Sequence, residues 1–97
     1  GRVDDMVMVR GVNLYPSSID AIVRRFTEVS EYQVSIDESS TMTELSLQVE
    51  ASTEVAAAVE KALTEAFSLR IPVQAVELGS LPRFEMKARR WIRLGSE

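Results

Sequence analysis

The 97-residue sequence predicts a two-layer α+β fold, an antiparallel sheet with two helices packed on one face. Three observations carry that expectation. Tyr32, Val34 and Ile36, and later Leu45, Leu47 and Val49, alternate with polar neighbours, the period-two signature of strands with one dry face. Ile19, Ile22, Val23 and Phe26, and later Val55, Val59, Leu63 and Phe67, recur at helical spacing. The segments run strand, helix, strand, strand, helix, strand, which is the split βαβ order of ferredoxin-like sandwiches.

Each element has its own local reason. Met6 to Val9 is apolar throughout and reads as a short buried strand, after which Gly11 and Asn13 supply turn chemistry. Pro16, then Ser17 with Asp20 three residues on, resembles a capping box, and the first helix is expected to end near residues 27–30. The polar run 37–41 separates the two alternating strands. Ser52 or Thr53 caps the second helix, whose apolar stripe is Val55, Val59, Ala62, Leu63, Ala66 and Phe67. The residue before Pro72 is pushed out of helical geometry, so the helix is expected to stop before Ile71. Residues 73–78 read as the last strand, closed by Gly79 and Ser80. The expected core is Val34, Ile36, Leu45, Leu47 and Val49 beneath Ile22, Val23, Phe26, Val59, Leu63 and Phe67, with the opposite sheet face wet.

The length fits one domain with a modest core, residues 1–97. Apolar residues at 45% and charged residues at 27% are globular values and argue against disorder. There is neither cysteine nor histidine, so disulfides, thiolate metal sites and imidazole chemistry are excluded. No apolar run reaches the ~20 residues of a membrane span, and no signal peptide is visible. The expected location is the cytoplasm. A net charge of −4 opposes non-specific nucleic-acid binding. That charge is unevenly spread: residues 83–97 are net +3 and residues 1–82 net −7. A basic tail on an acidic domain is either solvated or offered to an anion.

The basic stretch reads Leu81-Pro82-Arg83-Phe84-Glu85-Met86-Lys87-Ala88-Arg89-Arg90-Trp91. The opposite end reads Arg2-Val3-Asp4-Asp5, a short apolar run, Arg10-Gly11, then Pro16-Ser17-Ser18-Ile19-Asp20. Together, in this order and at this separation, they resemble the opening segment and closing lysine loop of the C-terminal domain of adenylate-forming enzymes. The likeness is greatest to the phenylacetate–CoA ligase branch. The resemblance implies a hinge segment at 1–16, a lysine loop at 81–93, and a small mobile lid that works with a large N-terminal adenylation domain outside this chain. The opening on Gly1, inside a motif, fits the expectation of a piece of a longer protein.

The implied reaction has two halves. A carboxylic acid and ATP give acyl-adenylate and pyrophosphate, and the CoA thiol then displaces AMP. Mg²⁺ is expected, held mainly by the large domain. The resemblance assigns Lys87 as the catalytic lysine that meets the acyl carboxylate and ATP during adenylation, where a fixed cation offsets charge building at the α-phosphorus. It assigns Asp4 as the hinge, Arg2 to the nucleotide ribose, and Arg10 with Gly11 to the CoA channel after the lid rotates. Phe84 and Met86 depart from the small residue and glycine that many relatives carry in the loop. On residue type alone, Lys87 and Arg2 are surface cations, Asp4 a turn carboxylate and Gly11 a turn glycine. Arg83, Arg89 and Arg90 suit CoA phosphates or plain solvation, Arg93 suits solvation, and Trp91 and Ile92 are expected to pack the tail onto the domain.

Two rivals come from other classes. An RNA-recognition domain would share the element order but stacks bases on aromatic residues of its central strands. Those strands are expected at 6–9 and 44–50, which hold none. A non-catalytic ferredoxin-like regulatory or interaction domain is not separated by fold alone; only the paired terminal motifs oppose it. The identity of the acid, and whether the thiol belongs to CoA or a carrier protein, lie outside this sequence.

Overall fold

The computed structural model describes residues 6–39, 41–82 and 91–94, with Arg93 and Leu94 described by backbone only. Its centre is an antiparallel pair, β3 (Tyr32–Asp37) and β4 (Glu44–Glu50). The register sets Tyr32 opposite Val49, Val34 opposite Leu47 and Ile36 opposite Leu45. All six side chains therefore share one face, and each is at most 3% exposed. The alternation predicted this arrangement. Asp37 closes the β3–β4 connection, its Oδ1 accepting from the backbone N–H of Ser39 at 2.9 Å and from its hydroxyl at 2.6 Å. Those two bonds hold the Asp37 carboxyl below its ordinary range, the hydroxyl contributing most.

The helices cover the apolar face. Helix α1 (Pro16–Val23) is shorter than expected. It is capped by the backbone of Tyr15 with Pro16 in the first turn, rather than by the side chain of Ser17. Asp20 turns inward instead of completing a capping box. Its carboxylate accepts from Tyr32 Oη at 2.6 Å and from Arg24 Nε at 3.0 Å. This bond and the charge of Asp20 hold the Arg24 guanidinium more firmly protonated than usual. Beyond Val23 the backbone tightens into turns, Arg25 donating to Ile22 and Phe26 to Val23, so Phe26 reaches the core from outside the helix.

Helix α2 (Thr53–Phe67) starts as expected, Ser52 Oγ accepting from Val55 N at 3.2 Å. It ends at Ser68, which takes a left-handed φ of 54° and donates to Thr64 O at 2.8 Å. The stop therefore precedes the Ile71-Pro72 step. Ala56, Val59 and Leu63 are the buried residues of its stripe, whereas Ala66 is exposed. The chain then returns as β5 (Val73–Val76), parallel to β4, so β4, α2 and β5 form a βαβ crossover. Glu60 secures that return, its two oxygens accepting from Val73 N at 3.0 Å and Arg70 Nε at 3.2 Å.

Two expectations about strands change. Residues 91–94, expected only to pack as a tail, form β6 (Trp91–Leu94), which pairs parallel to β3. Trp91 sits opposite Val34 and packs on the core. The sheet order is thus β5-β4-β3-β6, mixed rather than wholly antiparallel. The first apolar run is not part of it. It forms a separate hairpin of β1 (Val7–Val9) and β2 (Val12–Leu14), in which Asn13 is a strand residue opposite Met8 and not part of the turn. Val9 and Leu14 are buried while Met8 is 57% exposed, so β1 is dry on one face only. The whole is a two-layer α+β sandwich consistent with the ferredoxin-like class, with the hairpin as an added flap.

Candidate functional site

The tip of the β1–β2 hairpin is built by two residues. Val9 pairs with Val12, which leaves Arg10 and Gly11 as a two-residue loop. Their φ values are 52° and 81°. Positive φ at both central positions is the type I′ pattern that matches the twist of a hairpin. Glycine adopts this freely; an arginine does so rarely and at some conformational expense. A Cβ added at Gly11 would meet nothing within 4 Å. The constraint at Gly11 is thus its backbone, and the tip is open to whatever approaches it.

Arg10 is not free-floating. Its guanidinium hydrogen-bonds to Glu44 at the start of β4, and both side chains are nearly half exposed. The ion pair ties the flap to the sheet. Glu44 stands opposite Asp37, so the turn that Asp37 closes also sets where Glu44 stands. Sequence reasoning identified Arg10 and Gly11 but not Glu44, which had no signal beyond its place on the wet face of a strand.

A second feature lies where the chain leaves β5. Residues 77–80 form a turn in which Ser80 N donates to Glu77 O at 3.1 Å, with Gly79 at φ 85°. Positive φ at only the third position fits a type II turn, which requires glycine there. Ser80 Oγ adds a 2.6 Å bond to the same carbonyl. The turn delivers Leu81 onto Glu50, the last residue of β4. Leu81 N donates to Glu50 Oε2 at 2.8 Å, and Glu50 is 1% exposed. Just beyond lie Arg83 and the rest of the basic stretch.

Lys87, Asp4 and Arg2 lie outside the described residues, as do Arg83, Arg89 and Arg90. What is visible is how the two motifs are mounted: the first leads into the flap, and the second starts at Leu81 and ends in β6. An open groove of about 600 Å³ beside Glu50 is lined, among the described residues, by acidic, small and apolar side chains that include Glu28, Glu77 and Leu78. Among the described residues, no group of three or more acidic, cysteine or histidine side chains could hold a metal ion. Among them, too, no helix is long and apolar enough to cross a membrane.

The central-strand test for RNA binding also needs correcting. The central pair is β3 and β4, and β3 does carry an aromatic residue. Tyr32, however, faces the core at 3% exposure with its hydroxyl bound to Asp20, so it offers no stacking surface.

Comparison with known proteins agrees with this geometry. Residues 11–94 match the AMP-binding enzyme C-terminal domain family. The phenylacetate–coenzyme A ligase of Thermus thermophilus is 42% identical over 53 residues, 54% of this chain and 12% of that protein. The Escherichia coli phenylacetate–coenzyme A ligase is 29% identical over 91% of this chain and 23% of its own length. Among solved structures, a 2-hydroxyisobutyryl-CoA ligase with 2-HIB-AMP and CoA, in its thioesterification state, superposes with a TM-score of 0.78 at 31% identity, over 96% of this chain and 22% of that one. A domain of a Bacteroides vulgatus phenylacetate–coenzyme A ligase shares the fold, with a TM-score of 0.77 at 24% identity over 97% of this chain and 96% of that one. The chain thus spans less than a quarter of the full-length ligases it matches. By the match over most of its length, the chain belongs to the AMP-binding enzyme C-terminal domain family.

Proposed function

We propose that this chain is the mobile C-terminal lid of an ATP-dependent, AMP-forming acyl- or aryl-CoA ligase. The observation that carries the reading is its likeness, at 31–35% identity and over 96% of its length, to 22% of the chain of 2-hydroxyisobutyryl-CoA ligase, together with its match to the AMP-binding enzyme C-terminal domain family. That enzyme has been solved with 2-HIB-AMP and CoA in its thioesterification state and with 2-HIB-AMP in its postadenylation state. A lid that serves both steps must present different residues in each. The two mounted features of this chain suit that division.

In the adenylation orientation, the segment that starts at Leu81 offers Lys87 to the acyl carboxylate and the α-phosphate of ATP, and Arg2 to the ribose. The lysine adds a point charge where the transition state gains negative charge, and it neither donates nor removes a proton. Rotation about Asp4 then withdraws Lys87 and turns the hairpin tip toward the CoA channel. There Gly11 lets the backbone approach the thin pantetheine arm, and Arg10 supplies a fork for phosphate oxygens. These roles for Lys87, Asp4 and Arg2 rest on the terminal motifs. The acid is chosen by a large N-terminal domain, which also carries Mg²⁺ on this reading, and the enzyme works in the cytoplasm where ATP and CoA are supplied.

The test is an assay of the full-length enzyme with ATP, CoA and a panel of aryl and short acyl acids. Acid-dependent release of pyrophosphate and AMP, with thioester formation, is expected. Release of ADP and phosphate, or acid-independent turnover alone, would contradict the reading.

A further inference from the structure

Glu50 is an anomaly of the strand pattern. In β4 the core-facing residues are Leu45, Leu47 and Val49, so Glu50 belongs to the opposite face with Ser46 and Gln48. Those two are half-buried, yet Glu50 is 1% exposed. What covers it is the chain itself: Val76 of β5 lies beside it, and the turn at 77–80 brings buried Leu81 back over it. The main chain around Glu50 is pinned as well, its N–H donating to Glu31 O at 2.9 Å and its carbonyl accepting from Ser30 N at 3.2 Å. The carboxylate is therefore carried on a fixed backbone at the end of a central strand.

Burial of a carboxylate is unfavourable, and apolar replacements of buried charged groups are often neutral or stabilising. What gives this buried glutamate a placing role is its contact with the chain that leaves β5. Its visible use is the 2.8 Å bond from Leu81 N, a charge-assisted contact with a strict distance requirement. Leu81 is the residue at which the chain leaves the turn for the basic stretch, and residues 91–94 tie the far end to β3. Both flanks of the intervening segment thus contact the central pair of strands, residues 91–94 through the ladder to β3 and Leu81 through the Glu50 carboxylate on β4.

We propose that Glu50 is a positioning residue for adenylation, fixing the point from which the Lys87 segment departs. The inference rests on the reading of Lys87 as the adenylation lysine. It requires that loss of the Leu81 bond loosens the placement of Lys87 and slows that half-reaction, while the CoA half-reaction, which uses the hairpin, is spared.

The experiment measures both half-reactions in full-length enzyme: acid-dependent pyrophosphate release, and thioester formation from supplied acyl-adenylate. The variants are Glu50→Ala, Glu50→Asp, Glu50→Gln and Lys87→Ala. Glu50→Asp keeps the charge but withdraws the oxygen by one methylene, and it carries the test should Glu50→Ala fail to fold. Both are expected to lower kcat for adenylation by about 10–10²-fold, the scale of a misplaced catalytic group, with KM for ATP and acid little changed. Thioester formation should stay near the parental rate. Glu50→Gln keeps an acceptor for Leu81 N–H and should recover most of the lost rate. Parental adenylation in Glu50→Asp, with Lys87→Ala slow, overturns the role of Glu50 and leaves that of Lys87 standing. An equal fall of both half-reactions overturns it too, since that is the mark of a structural residue. Parental adenylation in Lys87→Ala removes the lysine reading and this inference with it.

Discussion

At the residue scale, the hairpin tip separates conformation from contact. Gly11 has room for a side chain but a φ of 81° that a side chain resists. Gly11→Ala should therefore destabilise the 97-residue chain by about 1–2 kcal/mol, through backbone strain alone; an unchanged thermal midpoint would count against the turn geometry. Arg10 presents the opposite case. Its ion pair with Glu44 is half exposed, and such pairs contribute about 0–1 kcal/mol. Arg10→Ala should barely alter stability, yet it should slow thioester formation from acyl-adenylate while sparing adenylation. Loss of adenylation alone would remove Arg10 from the CoA side. Asp37 adds a pH signature. Its folded pKa is lowered, so the stability it contributes is present above the ordinary carboxylate pKa and fades as pH falls through the lowered value. Ser39→Ala, which deletes the hydroxyl bond, should move the Asp37 titration upward in an NMR experiment.

At the element scale, the central pair β3–β4 holds the sandwich together. Leu47, 1% exposed in the middle of β4, should cost about 2–5 kcal/mol when truncated to alanine, readable as a shift in denaturant midpoint with little change in slope. Elements whose pattern is local were legible in advance. The two alternating strands have one dry face each, and the cap at Ser52 is a single bond three residues along. Elements decided at long range were not. The run at 6–9 could have joined the sheet, and only its pairing with Val12 to Leu14 shows that it does not. The strand Trp91–Leu94 follows a basic stretch with no turn residue to announce it. Ser68 ends α2 in a conformation usually marked by glycine. Within the candidate site the same division holds. Gly11 was visible as turn chemistry, though Asn13, read with it, is a strand residue and Arg10 takes the other turn position. Glu50 looked solvent-facing because Leu81, which bonds to it, arrives 31 positions later.

At the scale of the whole molecule, one sandwich carries the hairpin tip and the Leu81 turn as separate features, suited to be presented in turn to a larger domain. If Asp4 is the pivot, Asp4→Pro in the full-length enzyme fixes its φ and holds the lid in one orientation. One half-reaction should fail while the other survives, and equal loss of both in a folded enzyme would deny the hinge. The central claim is that Lys87 serves adenylation alone, and Lys87→Ala tests it most directly. Pyrophosphate release should slow by on the order of 10²–10³-fold, the scale for losing one transition-state charge contact, while thioester formation from pre-made acyl-adenylate proceeds at close to the parental rate. A folded variant that still releases pyrophosphate at the parental rate would contradict the account.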